Sequence, residues 1–251
     1  MVPKMHEKAS LGKVPEVTLG FWVIKVLATT LGETGGDALS MTLRLGYAVS
    51  SAIFIAWFAV AVVAQIRARS FHPFLYWTVI VATTTAGTTL ADFADRSLGV
   101  GYLGGSAILF VLLAGVLALW RLSLGAIAID HIVEPRVEAF YWATILFSNT
   151  LGTALGDFLA DRSGLGYEGG ALVFAAALAL VALAYFRTRL SHALLFWTAF
   201  ILSRPLGATL GDLLTKPHAS GGLHFDRIDS SALIAALIVA SIFVVPQRAA
   251  V

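Results

Sequence analysis

Four aspartates recur at one register of a repeated pattern. Asp37, Asp92, Asp157 and Asp212 each stand fifteen residues after a tryptophan (Trp22, Trp77, Trp142, Trp197), and a glycine (Gly32, Gly87, Gly152, Gly207) stands ten residues after the same tryptophan. Carboxylates contributed by equivalent segments suit a hard cation, or protons shared among acids that resist ionising together. The chain has no cysteine, so any metal ligands are oxygen or imidazole, which favours Mg²⁺ or Mn²⁺ over copper(I). Three more ionisable residues, Lys25, Glu33 and Arg204, fall inside otherwise apolar stretches, where an unpaired charge is expensive to bury.

The elements that must position these groups follow from composition. Of 251 residues, 58% are apolar and 13% charged, with a mean hydropathy of +0.85. Soluble domains run at about 45–50% apolar and about 25% charged. A net charge of only +2, with no clustered basic patch, argues against a nucleic-acid partner. The absence of cysteine excludes disulfides, iron–sulfur clusters and thiol nucleophiles. The expected fold class is an all-α polytopic membrane protein. Tyr47–Ile66, Tyr102–Trp120, Gly169–Phe186 and Ser230–Val245 read directly as spans. Four further stretches, Val17–Gly36, Phe71–Ala91, Ala139–Gly156 and Ala193–Gly211, carry Thr, Asn, Gly and a few charges, which makes eight transmembrane helices.

The pattern Trp-x9-Gly-x4-Asp occurs four times, and Gly-Tyr follows ten residues after each of the first three aspartates. The units span approximately 17–69, 71–130, 137–190 and 191–246 of a single membrane domain, 1–251. Each holds two spans, so all four units are parallel, and such repeats pack about an axis along the membrane normal. Four polar-striped inner helices and four apolar outer helices are expected. The chain resembles a family of uncharacterised bacterial integral membrane proteins, built from four tandem two-helix repeats of unknown function with a characteristic tryptophan. The resemblance runs from Phe21 to Val245 and implies eight helices, but no activity. The fourth copy departs after Asp212, where Lys216, Pro217, His218 and His224 replace the Gly-Tyr tail.

With the tryptophan at 0° on a helix, positions +7, +11 and +15 fall near −20°, +20° and +60° and form one stripe. Its occupants are Thr29, Glu33 and Asp37; Thr84, Thr88 and Asp92; Asn149, Thr153 and Asp157; and Arg204, Ala208 and Asp212. Beside it, small residues such as Gly32/Gly36 and Gly207/Gly211 are spaced for close helix packing. The aspartates sit at helix C-termini, where the dipole is already negative, so a cation or a base is needed there. Asp95-Arg96 and Asp161-Arg162 offer neighbouring bases. Glu33 and Arg204 differ in depth by about 6 Å, within reach of a salt bridge that Lys25 and Asp37 extend into a balanced network. Pro205 is expected to bend its helix.

The N-terminal tail, the loops after spans two, four and six, and the C-terminus hold ten Lys or Arg, against five in the opposite loops. This bias predicts an inner-membrane protein with both termini cytoplasmic. The paired aromatics Phe21-Trp22, Tyr76-Trp77, Tyr141-Trp142 and Phe196-Trp197 read as an interfacial belt. His131, Glu134 and Glu138 read as a solvated stretch, and His218, His224, Asp226 and Asp229 as a solvated loop.

The function these residues favour is a transporter or exporter of a small cation, a divalent metal such as Mn²⁺ or Mg²⁺ or one coupled to protons. The candidate metal ligands are Asp37, Asp92, Asp157 and Asp212. The transport stripe is Lys25, Thr29, Glu33, Thr84, Thr88, Asn149, Thr153 and Arg204. The partners are the lipid bilayer and an inorganic cation or proton; a homo-oligomer is compatible, and nucleic acid is not. No catalytic set and no resident cofactor are expected; the divalent ion is substrate. An ion channel, an anion transporter using Lys25 and Arg204, and a non-transporting scaffold remain open.

Overall fold

The computed structural model describes residues 12–127, 132, 134–162 and 164–250, without the side chains of Asp161 and Arg162. His131, Lys4 and Lys8 lie outside the described residues, as does any Asp161-Arg162 pairing. Eight α-helices follow in order: α1 (Leu19–Asp37), α2 (Gly46–Arg67), α3 (Pro73–Asp92), α4 (Gly101–Leu124), α5 (Pro135–Arg162), α6 (Gly166–Arg187), α7 (His192–Thr215) and α8 (Arg227–Val244). Short π-helical turns extend α1 and α3, at Ala38–Thr42 and Phe93–Ser97.

Local chemistry starts and stops these helices. The Thr18 hydroxyl accepts from the Phe21 amide to cap α1, and Asp226 accepts from the Ile228 and Asp229 amides to cap α8. Pro73 opens α3, where its missing N–H costs nothing. The repeated Gly-Tyr marks the reversal from odd to even helix. Gly46, Gly101 and Gly166 have φ of +74°, +74° and +64°, a left-handed turn that a side chain would strain. Helix α7 runs on from His192 to Thr215 with Pro205 inside it.

Among the described residues six helices are long and apolar enough to cross a membrane, which makes this a polytopic membrane protein. The two that miss that criterion, α1 and α5, are odd-numbered helices loaded with polar residues. The odd helices form the interior: 72% of the span at Pro73–Ser97 is buried, against 11% for Gly101–Leu124 and for Gly166–Arg187. Helices α1, α3, α5 and α7 pack in a closed ring, α1 on α3, α3 on α5, α5 on α7 and α7 on α1. Each even helix packs mainly on the odd helix of the next unit: α2 on α3, α4 on α5, α6 on α7, and α8 back on α1. Every unit therefore covers its neighbour, and the last covers the first.

The glycines set this ring. A Cβ on Gly32 would collide with Thr84, on Gly87 with Asn149 and Thr150, on Gly152 with Arg204 and Pro205, and on Gly207 with Thr29. In each case the +10 glycine receives the +7 residue of the next odd helix. At Gly87 the nearest atom is the Thr150 backbone nitrogen, 3.0 Å from the added carbon, and backbone cannot swing aside. Gly87→Ala is therefore expected to destabilise the protein by about 1–3 kcal/mol, despite alanine's better helix propensity. A thermal melt in detergent checks this, and a stability gain would mean that the α3–α5 contact is slack.

The paired aromatics are not an interfacial belt. Phe21, Tyr76, Trp77, Tyr141, Trp142, Phe196 and Trp197 are all buried. The ring of one unit stands against the tryptophan of the next: Phe21 on Trp77 at 5.5 Å, Tyr76 on Trp142 at 5.6 Å, Tyr141 on Trp197 at 5.9 Å, and Phe196 on Trp22 at 5.9 Å. The Tyr76 and Tyr141 hydroxyls meet at 2.8 Å. An aromatic pair at a span's end suits a lipid interface or a plug equally well, and the parallel repeat turns all four pairs inward. The plug closes the ring at the end where both termini lie.

That end is sealed further by the chain ends. Residues 12–16 pair with residues 248–250 through Gly12 N–H to Ala250 O (2.7 Å), Ala250 N–H to Val14 O (2.9 Å) and Glu16 N–H to Arg248 O (2.9 Å). Lys13 donates to Ile66 O at 2.9 Å and forms an ion pair with Glu138. Glu138 is thus buried rather than solvated, because the tail folds under the bundle to meet it.

Candidate functional site

Beyond the aromatic plug the axis is lined by the polar stripe. Lys25, Thr29, Glu33, Thr84, Thr88, Asn149, Thr153, Arg204 and the four aspartates are all buried. Many of the hydroxyls and amides act as interhelical hydrogen bonds. Thr84 donates to Ala28 O (3.1 Å), Thr88 to Gly32 O (3.2 Å), Thr29 to Ser203 O (3.3 Å) and the Asn149 amide to the Thr83 hydroxyl (2.8 Å). Thr153 turns back on its own helix, donating to Asn149 O at 3.2 Å.

The charges are arranged unequally around this axis. Arg204 reaches from α7 to Glu33 on α1 at 3.1 Å, donates to Thr29 O at 3.3 Å and bonds the Thr88 hydroxyl. The Thr88 hydroxyl also lies 3.2 Å from Glu33 Oε2, its single proton shared between that carboxylate and backbone carbonyls, so the carboxylate is contacted from two helices. Lys25 does not join this network: among the described residues its ammonium has no hydrogen-bond partner, and it lies 4.1 Å from the centre of the Phe200 ring. A cation over an aromatic face is partly compensated, but much less than by a carboxylate.

The four aspartates form two pairs, each bridged by a base, rather than one ring about one ion. Arg96 lies 2.8 Å from Asp92 and 3.8 Å from Asp157, tying α3 to α5. Lys216 lies 2.9 Å from Asp37 and 3.1 Å from Asp212, tying α7 to α1. Arg227 adds a contact to Asp37 at 3.5 Å. The two pairs differ below the surface. Under the second, Glu33 brings a third acid, and oxygens of Glu33, Asp37 and Asp212 lie within 4.8 Å of one another. Asp92 and Asp157 fall outside that group. The oxygen set that fits a hard cation is therefore Glu33, Asp37 and Asp212, at the α1–α7 seam.

Arg96 and Lys216 share a signal visible in the sequence: each stands four residues after a repeat aspartate, on the same helix face. His218, His224 and Asp226 do not join the acids. The two histidine rings are 5.8 Å apart, His218 Nδ1 lies 2.9 Å from Gly222 O, and Asp226 caps α8. Two open recesses are lined by other residues than the stripe, one by Leu31, Trp57, Phe74, Trp77 and Ile238, the other by Tyr102, Leu103 and Phe158.

A family model described as Repeat of Unknown Function (DUF347) matches the chain at residues 20–71, 75–125, 140–191 and 195–245. The chain belongs to this family. No curated protein and no solved structure matches it. Each DUF347 repeat contains one odd and one even helix, and each carries its tryptophan, +10 glycine and +15 aspartate. The shared glycines and aromatics build the ring and the plug. Glu33, Arg204 and Lys216 each occur in one DUF347 repeat only, and they are what makes the α1–α7 seam unlike the other three.

Proposed function

We propose that the protein transports a small cation, a divalent metal such as Mn²⁺ or Mg²⁺ or one exchanged for protons, through the α1–α7 side of the ring. The observation that carries this reading is the buried Glu33, Asp37 and Asp212 cluster within a membrane bundle. Three acids desolvated together are costly to keep, and ionisable groups at such depth ordinarily serve ion movement. On the basic-residue bias, both termini lie in the cytoplasm of a bacterial inner membrane, with the acids toward the outer face. The aromatic plug and the buried axis then describe an occluded state, closed on the cytoplasmic side.

A non-transporting scaffold is the second reading, and base-paired aspartates on a packed axis favour it. One experiment separates the two. Protein in liposomes with an internal metal-sensitive dye is expected to admit Mn²⁺, and Asp212→Asn to lower the initial rate at least about tenfold, a loss of about 1.4 kcal/mol or more. Saturating Mn²⁺ should also raise the stability of the unaltered protein, by about 2.7 kcal/mol at a hundred times its dissociation constant. An absence of flux and of any melting shift across Mn²⁺, Mg²⁺ and pH would leave the scaffold.

A further inference from the structure

We propose that the Lys216 ammonium is a tethered cation that fills the binding site between Asp37 and Asp212, and that the transported ion binds by displacing it. This inference rests on the cation reading above. Lys216 Nζ sits between the two carboxylates at 2.9 and 3.1 Å, where a metal ion shared by them would sit. Its side chain is 10% exposed, so water does little to screen the pair. The second Asp37 oxygen, Oδ1, is buried and has no hydrogen-bond partner among the described residues, whereas Oδ2 accepts from Lys216 and lies 3.5 Å from Arg227 Nε. A lone pair left idle beside an ammonium, with Glu33 close by, is coordination that lysine does not use. A divalent ion with several oxygen ligands would use it.

The local backbone suits a side chain that leaves while its base stays fixed. Lys216 follows the last residue of α7, and the loop after it is pinned back onto the helix. Leu223 N–H donates to Leu213 O (2.7 Å), His224 N–H to Lys216 O (3.0 Å) and Phe225 N–H to Leu214 O (2.9 Å). The four-carbon stem can therefore swing toward the exposed loop at Pro217–Ser220 without moving α7.

Arg96 marks the contrast. It occupies the equivalent position on the α3–α5 side, but it presents a planar fork to two acids, and among the described residues no third carboxylate joins them in a close oxygen cluster. A guanidinium fork is a poor stand-in for a metal ion, whereas an ammonium is a compact point charge. Of the two clamps, only the lysine one resembles a site held by a substitute.

Mn²⁺ binding to the purified full chain in detergent tests this. Removing a built-in competitor raises apparent affinity, so Lys216→Gln is expected to lower the Mn²⁺ dissociation constant about tenfold or more. Lys216→Arg keeps the charge, preserves the fold if the neutral variant does not, and is expected to weaken Mn²⁺ binding. Unchanged or weaker binding in Lys216→Gln, or tighter binding in Lys216→Arg, overturns the tether. If Asp212→Asn abolishes flux while Lys216→Gln leaves affinity unchanged, the transport reading stands and the tether alone fails. If Lys216→Gln binds Mn²⁺ more tightly but the unaltered protein shows no flux, the displaced-lysine site stands and transport fails.

Discussion

Arg204→Met is expected to destabilise the protein by about 3–5 kcal/mol, a large fraction of the stability of an ordinary domain. The guanidinium is fully buried and satisfies three partners on two other helices: Glu33, Thr29 O and the Thr88 hydroxyl. Methionine matches the stem but leaves the buried Glu33 carboxylate with only a share of the Thr88 hydroxyl proton among the described residues. The penalty comes from that stranded charge and not from the net worth of the pair, since removing both ions together is often close to neutral. Glu33→Gln in the same chain is therefore expected to recover more than half of the loss. Unfolding of the single and double variants in mixed micelles measures the coupling. If the double variant is no more stable than Arg204→Met, the arginine acts by packing against Gly152 and not by charge.

The same reasoning ranks the other ion pairs. Arg96 is about a third exposed and lies 3.8 Å from Asp157, so solvent screens that contact and little stability follows from it. Lys13 and Glu138 are both largely buried, yet they join a terminal segment to a helix start and bear on the closed end, not on the axis. Stability concentrated in Glu33–Arg204 gives the α1–α7 seam a rigid floor beneath the Lys216 clamp.

Much of the architecture was legible in the residues because the repeat is written in side chains with a fixed register. Trp-x9-Gly-x4-Asp gives the number of units, their parallel sense and the face of each odd helix that turns inward. Periodicity on one helix says nothing about which helix it meets. That each even helix covers the next unit's odd helix, with α8 closing on α1, depends on loop geometry at Gly46, Gly101 and Gly166, which composition does not encode. The partner of Asp37 was hidden for the same reason: Lys216 is 179 residues away, although its i,i+4 relation to Asp212 was readable. Lys25 shows the opposite failure. Its charge and depth suggested a share in the Glu33 network, but its side chain lies across Phe200, one helical turn before Arg204 on α7.

The aromatic plug carries the other large expected effect. Tyr76→Ala is expected to cost about 3–5 kcal/mol, as for deletion of a large buried ring. Tyr76 is fully buried, stands 5.3 Å from Trp77 and 5.6 Å from Trp142, and shares a 2.8 Å hydrogen bond with Tyr141. Alanine leaves a void at the centre of the closed end and strands the Tyr141 hydroxyl. Tyr76→Phe removes only that hydrogen bond and is expected to cost about 1 kcal/mol. The two variants thereby separate volume from polarity. They also separate stability from sealing: with protein in liposomes held at a temperature where both stay folded, Tyr76→Ala is expected to pass protons that the unaltered protein and Tyr76→Phe hold back. If Tyr76→Ala melts early but stays tight, the barrier is carried by the paired segments 12–16 and 248–250 beneath the plug, and the aromatics serve only to hold the four helices together.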